Sequence, residues 1–411
     1  MIEWAAMSTG SPASAAAPID GAALAPVLDP AGSGSMLPAA AYLDADVLAW
    51  ERTHLFAGAW VCVGRSAELR DRGMRRAVRV GDDAVLLVRG NDGRLRGFYN
   101  TCRHRAHELA PCGTVSQHPS IHCPYHGWRY GLDGALRATP RFDAPVGFDR
   151  ADHGLVAVAV EEWHGWVMVN ADGTAAPRAE FLAGLEPRVD GYEPQRLIVG
   201  ATHSYEVAAN WKLIVENYHE CFHCPNIHPQ LCAVSAPTSS ENAAGHDGFW
   251  VGGWLDLTVS AATMSLDGRS PTTPLPGLHG PALRRVDYVG LLPNLLVSLH
   301  PDYVMTHRLE PLAPDRTAVE CQWLFDPGHV ARDDFDPSFA VDFWDLTNRQ
   351  DWAACEGVQR GIGSRGYRQG PFSRVEDAVA QFTRLVATAY RSGGWGRPDG
   401  PAHPRRDGER R

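Results

Sequence analysis

Residues 102–128 read CRHRAHELAPCGTVSQHPSIHCPYHGW and contain two short pairs of metal-binding side chains. The first pair is Cys102 and His104, the second is Cys123 and His126, and residues 105–122 separate them. Two such pairs can meet at one centre, either a zinc ion or a 2Fe–2S cluster in which two histidines replace two cysteines on one iron. Each pair contributes one Cys and one His, whereas zinc modules more often pair Cys with Cys and His with His. The pattern therefore favours the cluster, with zinc or no metal as the alternatives.

The residues around these pairs predict a small antiparallel β domain over residues 57–165. Residues 77–100, AVRVGDDAVLLVRGNDGRLRGFYN, run as short apolar segments interrupted by Gly-Asp-Asp and Asn-Asp-Gly, which are hairpin signals. The preceding residues 40–56 have the apolar spacing of an amphipathic helix.

The rest of the chain mixes helical and strand-like patterns, which predicts an α+β fold. We expect a catalytic domain formed by residues 39–56 and 166–392, into which the β domain is inserted. Its predicted helices cover about 208–224, 340–360 and 374–391, and its strand-like runs are 288–299 and 318–325. Residues 1–38 and 393–411 are rich in Ala, Pro, Gly and Ser, so they are predicted to be disordered.

The composition excludes several classes of function. The net charge of −10 over 411 residues gives no basic surface for nucleic acid. The N-terminus has no basic region typical of a signal peptide, and no apolar run is long enough to span a membrane. Nine unevenly spaced cysteines, several of them beside histidines, favour metal chemistry in a reducing compartment over a disulfide framework. A cytoplasmic protein is therefore expected.

A second group of candidate ligands lies in residues 210–229, NWKLIVENYHECFHCPNIHP. Asn210 is a plausible helix N-cap, and Pro225 should end the helix near His223. The following turn can then bring His228 back toward His223. Two imidazoles and one carboxylate on one face of a metal form the facial triad of non-haem Fe(II) oxygenases. Taken alone, the His-x4-His spacing fits a structural pair of histidines better than a metal site.

Together these motifs resemble the α subunits of Rieske non-haem iron oxygenases over residues 40–392. Cys-Arg-His-Arg and Cys-Pro-Tyr-His-Gly-Trp are similar to the two cluster loops of that family, although Ala106 stands where the family usually has Gly. The family also has Asn-Trp-Lys, a Glu-Asn pair, an acidic residue three before the first His ligand and a second His five further on. The Glu-Cys-Phe-His-Cys segment most resembles the branch of carnitine and glycine betaine oxygenases.

The resemblance implies roles for specific residues. Cys102, His104, Cys123 and His126 would hold the cluster, and His223 and His228 would bind a mononuclear Fe(II). Asp351 is expected as the third ligand, because an Asp followed five residues later by a Glu, with a Gln soon after, matches the family; Asp345 and Glu356 are the alternatives. Glu220 and Asn217 are expected catalytic residues. Glu220 would link His223 to His126 of a neighbouring subunit, which implies a head-to-tail homotrimer.

The implied function is that of a terminal oxygenase, a mono- or dioxygenase that uses O2 to hydroxylate or demethylate a small substrate. Without a Gly-rich dinucleotide motif in the chain, NAD(P)H would act only through a separate reductase, with or without a ferredoxin. An N-methyl or quaternary ammonium substrate is favoured, and Trp211, Trp254, Tyr288 and Trp323 are candidates for a cation-binding cage, although core packing is the simpler role for each. Cys221 and Cys224 are expected to be buried thiols. The alternatives are a hydroxylase of aromatic rings or natural products, or a Rieske electron carrier without oxygenase activity.

Overall fold

Strands between residues 61 and 170 build a seven-stranded antiparallel sheet and a small three-stranded sheet. The computed structural model describes residues 16–30, 32, 34–239, 241–243 and 247–395. The large sheet has the order β1-β10-β9-β4-β3-β2-β5, and the small sheet has the order β6-β7-β8. Their bounds are β1 Val61–Arg65, β2 Met74–Val80, β3 Asp83–Arg89, β4 Leu95–Tyr99, β5 Val115–Gln117, β6 Ile121–His122, β7 Arg129–Tyr130, β8 Leu136–Ala138, β9 Ala157–Trp163 and β10 Trp166–Asn170.

A second seven-stranded antiparallel sheet forms the body of the remaining chain. Its order is β11-β17-β16-β15-β14-β13-β12, so most neighbours in the sheet are also neighbours in sequence. The strands are β11 Ile198–Val207, β12 Glu241–Asn242, β13 Trp250–Asp256, β14 Arg285–Leu291, β15 Leu295–Leu299, β16 Val304–Ala313 and β17 Arg316–Phe325. The apolar runs predicted at 288–299 and 318–325 fall on β14, β15 and β17.

Helices pack against this second sheet and connect the two parts of the chain. The α-helices are α1 Ala25–Leu28, α2 Ala40–Leu43, α3 Ala45–Glu51, α4 Arg178–Phe181, α5 Glu186–Val189, α6 Trp211–Tyr218, α7 Cys224–Ile227, α8 Pro229–Val234, α9 Pro327–Val330, α10 Ser338–Ile362 and α11 Asp377–Ser392. Helix α3 continues into a π-helical turn, Arg52–Phe56. Helices α10 and α11 both contact α6.

Helix α6 is fixed at its N-terminal end by a buried polar cluster. Asn210 caps the helix by accepting a hydrogen bond from the Lys212 N–H, as the sequence predicts. The Lys212 Nζ lies 2.6 Å from Glu51 Oε1, and both side chains are fully buried. Trp211 Nε1 donates to the other oxygen of Glu51 over 2.8 Å. Because removing one partner of a buried ion pair costs about 3–5 kcal/mol, this cluster holds the start of α6 firmly against α3.

The chain ends are more ordered than predicted. Within the described residues, the stretch from 16 to 38 contains α1, and Leu24, Val27 and Leu37 are buried. Helix α1 contacts α11, so a distant helix supplies the packing surface that local composition does not reveal. Near the other end, Trp395 donates from Nε1 to Leu55 O over 2.8 Å. The prediction of disorder is therefore wrong for these parts of 1–38 and 393–411; residues 1–15 and 396–411 lie outside the described residues.

The observed architecture is the predicted α+β class, with an antiparallel β domain joined to a helix-plus-antiparallel-sheet domain. The first sheet continues to Asn170 in β10, five residues beyond the predicted boundary at 165, and the exact domain limits stay a prediction. Among the described residues, no helix combines the length and the apolar character that a membrane crossing requires.

Candidate functional site

Two similar turns present the first group of candidate ligands. In each turn a cysteine carbonyl accepts a hydrogen bond from the residue four positions later: Ala106 bonds to Cys102, and Gly127 bonds to Cys123. Both later residues have positive φ angles, 55° for Ala106 and 72° for Gly127. Ala106, at the position where the family usually has Gly, therefore forms the tight turn in a conformation that favours glycine.

The side chains of these turns segregate by type. Cys102 and Cys123 are both buried, and the Cys102 Sγ contacts the Tyr130 hydroxyl at 3.2 Å. His104 and His126 lie closer to the surface, with their Nδ1 atoms 3.2 Å apart. His104 also stacks on Trp128, at 4.8 Å between ring centroids. Two buried sulfur atoms and two outer imidazoles match a cluster that has one iron bound by each pair.

A single zinc ion does not fit this arrangement. Four ligands of one tetrahedral zinc would lie within about 4 Å of one another, because the zinc–ligand bonds are only about 2.0–2.3 Å long. In the described part of the chain, two groups each contain three or more metal-binding atoms that all lie within 4.8 Å of one another. Neither group includes a residue of these turns. The ligand atoms of these turns are therefore spaced more widely than those of a single zinc site, as a two-iron cluster requires.

The second group of candidate ligands converges on one point. Nε2 of His223 lies 3.2 Å from Nε2 of His228, and Oδ1 of Asp351 lies 3.4 Å from the first nitrogen and 2.8 Å from the second. Helix α10 supplies Asp351, while the two histidines flank the short helix α7. His228 is 1% exposed, Asp351 16% and His223 20%, so the site is shielded yet reachable. Two imidazoles and one carboxylate on one side of a shared point fit a facial-triad iron site.

Each imidazole has an oxygen acceptor for its other nitrogen. Nδ1 of His223 contacts Glu220, and Nδ1 of His228 lies 2.8 Å from Oε1 of Gln350. A proton held at Nδ1 leaves Nε2 free to bind a metal. Burial alone would lower the pKa of His223, but hydrogen bonds to Asp351 and Glu220 raise it to about 9. Gln350 was missed by sequence reasoning; its position next to Asp351 was the available signal.

The loop before His223 differs from the predicted helix. Helix α6 ends at Tyr218, five residues before His223, and not near Pro225. The Glu220 carboxylate accepts hydrogen bonds from the backbone N–H groups of Phe222 and His223, so it competes with helical bonding in the way that capping side chains do. Phe222, in this loop, is 62% exposed. The prediction of free thiols in this loop is also wrong, because Cys221 and Cys224 form a disulfide.

The alternative carboxylates lie elsewhere. Asp345 accepts from the Tyr205 hydroxyl over 2.7 Å and pairs with Arg349, and Glu356 accepts from the Ala208 N–H over 3.2 Å. Neither contacts His223 or His228.

A cavity of about 610 Å³ opens above the triad. Asn217 lines it and makes no side-chain hydrogen bond to a described residue. Aromatic side chains form much of the remaining lining: Tyr218, Phe222, Trp254, Tyr288, Trp344 and Trp352. Of the four aromatic residues proposed for a cation-binding cage, Trp254 and Tyr288 thus reach the cavity. Trp211 and Trp323 are fully buried and pack in the core.

Comparisons with known proteins assign a family to each of the two regions that contain the candidate ligands. Residues 59–159 match the family "Rieske [2Fe-2S] domain", and residues 194–392 match "Ring hydroxylating alpha subunit (catalytic domain)". The glycine betaine monooxygenase oxygenase subunit of Chromohalobacter salexigens is 32% identical over 84% of this chain and 84% of its own length. The carnitine monooxygenase oxygenase subunit of Acinetobacter baumannii is 30% identical over 85% and 93%.

Solved structures give the same result. The quaternary ammonium Rieske monooxygenase CntA superposes with a TM-score of 0.74 at 25% identity, covering 92% of this chain and 100% of that chain. A naphthalene 1,2-dioxygenase from Rhodococcus, at 18% identity and a TM-score of 0.69, shares the fold. The chain therefore belongs to the Rieske non-haem iron oxygenases, as an oxygenase subunit whose cofactors are a 2Fe–2S cluster and a mononuclear iron.

Proposed function

We propose that this chain is the terminal oxygenase for a small quaternary ammonium carboxylate. The observation that carries the proposal is the aromatic cavity directly above the candidate iron ligands. Tyr218 and Tyr288 lie 5.6 Å apart between ring centroids, and Tyr288 lies 6.5 Å from Trp344, so the rings form one continuous wall. A methylated ammonium group binds aromatic faces through the cation–π interaction, and it needs no hydrogen-bond partner.

An unpaired cation that lines the same cavity favours a substrate with a carboxylate group. Arg374 lines the cavity and is exposed, and it makes no ion pair or hydrogen bond with any described residue. A guanidinium can bind a carboxylate through two parallel hydrogen bonds. The oxygenase subunits named above from C. salexigens and A. baumannii act on glycine betaine and carnitine respectively, as their names state. A substrate with an ammonium and a carboxylate group would complement both features.

His223, His228 and Asp351 would hold the mononuclear iron, and Cys102, Cys123, His104 and His126 would hold the cluster. When bound, the iron activates O2, and the cluster stores one electron at a time. The protein's own side chains orient the iron ligands and surround the substrate. Glu220 and Gln350 keep protons at Nδ1 of the two histidines, Asn217 offers a polar group beside the substrate, and the aromatic wall excludes water from the reacting carbon.

We further propose that electrons reach the iron from the cluster of a neighbouring subunit. His126 is exposed, as a contact between subunits requires. Glu220 would accept a hydrogen bond from His126 of that neighbour while it contacts its own His223. Such a contact joins two different surfaces and closes into a ring, so a head-to-tail trimer is expected. A separate NAD(P)H-dependent reductase would supply the electrons in the cytoplasm, directly or through a ferredoxin.

Oxygen uptake with a surrogate reductase tests the proposed substrate class. The informative series is a trimethylammonium carboxylate, the same compound with carbon in place of the quaternary nitrogen, a trimethylammonium alcohol, and a small aromatic acid. We expect the first compound to stimulate oxygen uptake most, because it alone has both an ammonium group for the aromatic wall and a carboxylate for Arg374. Equal stimulation by the carbon analogue, or stimulation by the aromatic acid alone, would overturn the proposal.

A further inference from the structure

The disulfide between Cys221 and Cys224 encloses one of the candidate iron ligands. The closed loop contains Phe222 and His223, and Glu220 precedes it directly. A cross-link between residues only three positions apart restricts the backbone of the residues inside the loop. The ring therefore restricts the backbone of His223, whose Nδ1 contacts Glu220 just outside the ring.

The sulfur of Cys224 also lies beside the metal-binding atoms. Its Sγ is 3.9 Å from Nε2 of His223, the nitrogen that faces His228 and Asp351. A thiolate is a strong ligand for iron and for other transition metals, and it is the deprotonated sulfur that binds. A sulfur held in a disulfide has no such charge. The disulfide thus keeps a fourth protein donor away from a site that needs open positions for O2 and water.

Cys221 and Cys224 are buried, so small redox reagents would reach this pair through the cavity. Cys221 and Cys224 both line the cavity, whose rim includes the exposed side chains Phe222 and Val375. The remaining cysteines form no disulfide, and none of them lines the cavity: Cys62, Cys102, Cys112, Cys123, Cys232, Cys321 and Cys355.

We propose that Cys221 and Cys224 form a reversible disulfide that sets the number of protein donors at the mononuclear iron site. In the disulfide form the donors are His223, His228 and Asp351. In the dithiol form the Cys224 thiolate is a fourth donor, and one open position is lost. An external dithiol opens the bond by transferring two electrons and two protons, and it becomes a disulfide itself. Hydrogen peroxide closes the bond, taking two electrons and two protons from the thiols and yielding two molecules of water.

The inference rests on the proposed iron ligands, so its first test is independent of the metal. The full-length protein is treated with hydrogen peroxide or with dithiothreitol, alkylated, digested and analysed by mass spectrometry. We expect Cys221 and Cys224 to be labelled at least ~10-fold less after peroxide than after dithiothreitol. Cys232, a partly exposed free thiol on α8, provides the internal comparison. Equal labelling of Cys221 and Cys224 under both conditions would overturn the reversible disulfide.

The second test reports on the iron ligands without turnover. Nitric oxide added to the ferrous site gives a spin-3/2 EPR signal that is sensitive to a thiolate ligand and separate from the signal of the reduced cluster. We expect this signal to change shape when the wild-type disulfide is reduced. Cys221→Ser should show the altered signal under both conditions, whereas Cys221→Ser/Cys224→Ser should show the disulfide-form signal under both. Cys232→Ser should behave as the wild type.

Two negative outcomes have different meanings. An identical spin-3/2 signal in the disulfide and dithiol forms would overturn the ligand switch but leave the iron site intact. The absence of the signal from both forms would contradict the proposed iron site itself, and the ligand switch would fall with it.

Discussion

Oδ1 of Asp351 lies 2.8 Å from Nε2 of His228, although 123 positions separate the two residues in the sequence. Helix α10 meets the junction between α7 and α8 at this point, and α10 also contacts α6. A contact of this kind between a carboxylate and an imidazole would be unremarkable as an ion pair. What makes it a candidate metal site is that His223 approaches the same two atoms.

Gln350 should be important for iron affinity because it orients His228. Replacing it by Leu removes the acceptor for the Nδ1 proton, and loss of such a partner typically lowers metal affinity about 10–100-fold. Gln350→Glu retains an acceptor oxygen and should retain iron. The measurement is the rate of iron loss to a chelator in the two variants and the wild type. If Gln350→Leu and the wild type release iron equally fast, Gln350 has no part in orienting His228.

Glu220 should couple the two cofactors. Glu220→Ala, reconstituted with saturating iron, should contain both cofactors and yet lose most substrate-dependent oxygen uptake, because the link between His223 and the neighbouring His126 is missing. Cluster absorbance and iron content verify that the variant is loaded. Uptake at the wild-type rate would contradict the bridging role.

Ala106 should be a point of strain in the cluster loop. Its φ of 55° lies in the left-handed region, which costs a non-glycine residue about 1–2 kcal/mol. Ala106→Gly should therefore raise the free energy of unfolding of the cluster domain by about 1 kcal/mol. Gly127→Ala at the equivalent turn should lower it by a similar amount, since φ is 72° there and the nearest described neighbour of an added Cβ, an atom of Pro140, lies at 3.8 Å. Thermal loss of cluster absorbance measures both, and a destabilising Ala106→Gly would contradict the account.

Glu216 should make stability depend on pH. Burial raises the pKa of its carboxyl from 4.5 to about 7, although the hydrogen bond from Tyr42 and the charge of Lys212 oppose this. The pKa of Glu216 is higher in the folded protein than in the unfolded chain, so protonation of Glu216 stabilises the fold. This stabilisation is complete below the unfolded pKa of 4.5 and is lost as the pH rises through about 7. The loss approaches roughly 3 kcal/mol, because each pKa unit corresponds to about 1.4 kcal/mol.

The matched variant for this prediction is Glu216→Gln, which keeps an oxygen for Tyr42 but cannot ionise. The difference in unfolding free energy between variant and wild type should grow in favour of the variant from about pH 5 to about pH 8. A difference that stays constant with pH would show that Glu216 does not change its ionisation in this range.

The sequence predicted most accurately the features that depend on residues close together in the chain. The N-cap Asn210 and the apolar strand runs both depend on near neighbours, and the structure agrees with both. The resemblance to a known family, and not the spacing, pointed to Asp351, because nothing in α10 alone distinguishes it from Asp345 or Glu356.

The errors came from interactions that the local sequence does not contain. Helix α6 stops at Tyr218 because the Glu220 side chain bonds to the following backbone N–H groups, which a helical periodicity cannot reveal. The segment with Leu24 and Val27 is ordered because α11 covers it. Gln350 gains its role only when α10 is placed against His228.

The most direct test of the central claim is the ratio of iron to acid-labile sulfide in Asp351→Asn beside the wild type. A cluster with two irons and a triad with one predict about three irons and two sulfides per wild-type chain. The variant should keep about two sulfides and fall to about two irons, while the control Glu356→Gln, changed on the same helix, should keep all three. If Asp351→Asn retains the third iron, Asp351 does not complete the site and the account is contradicted.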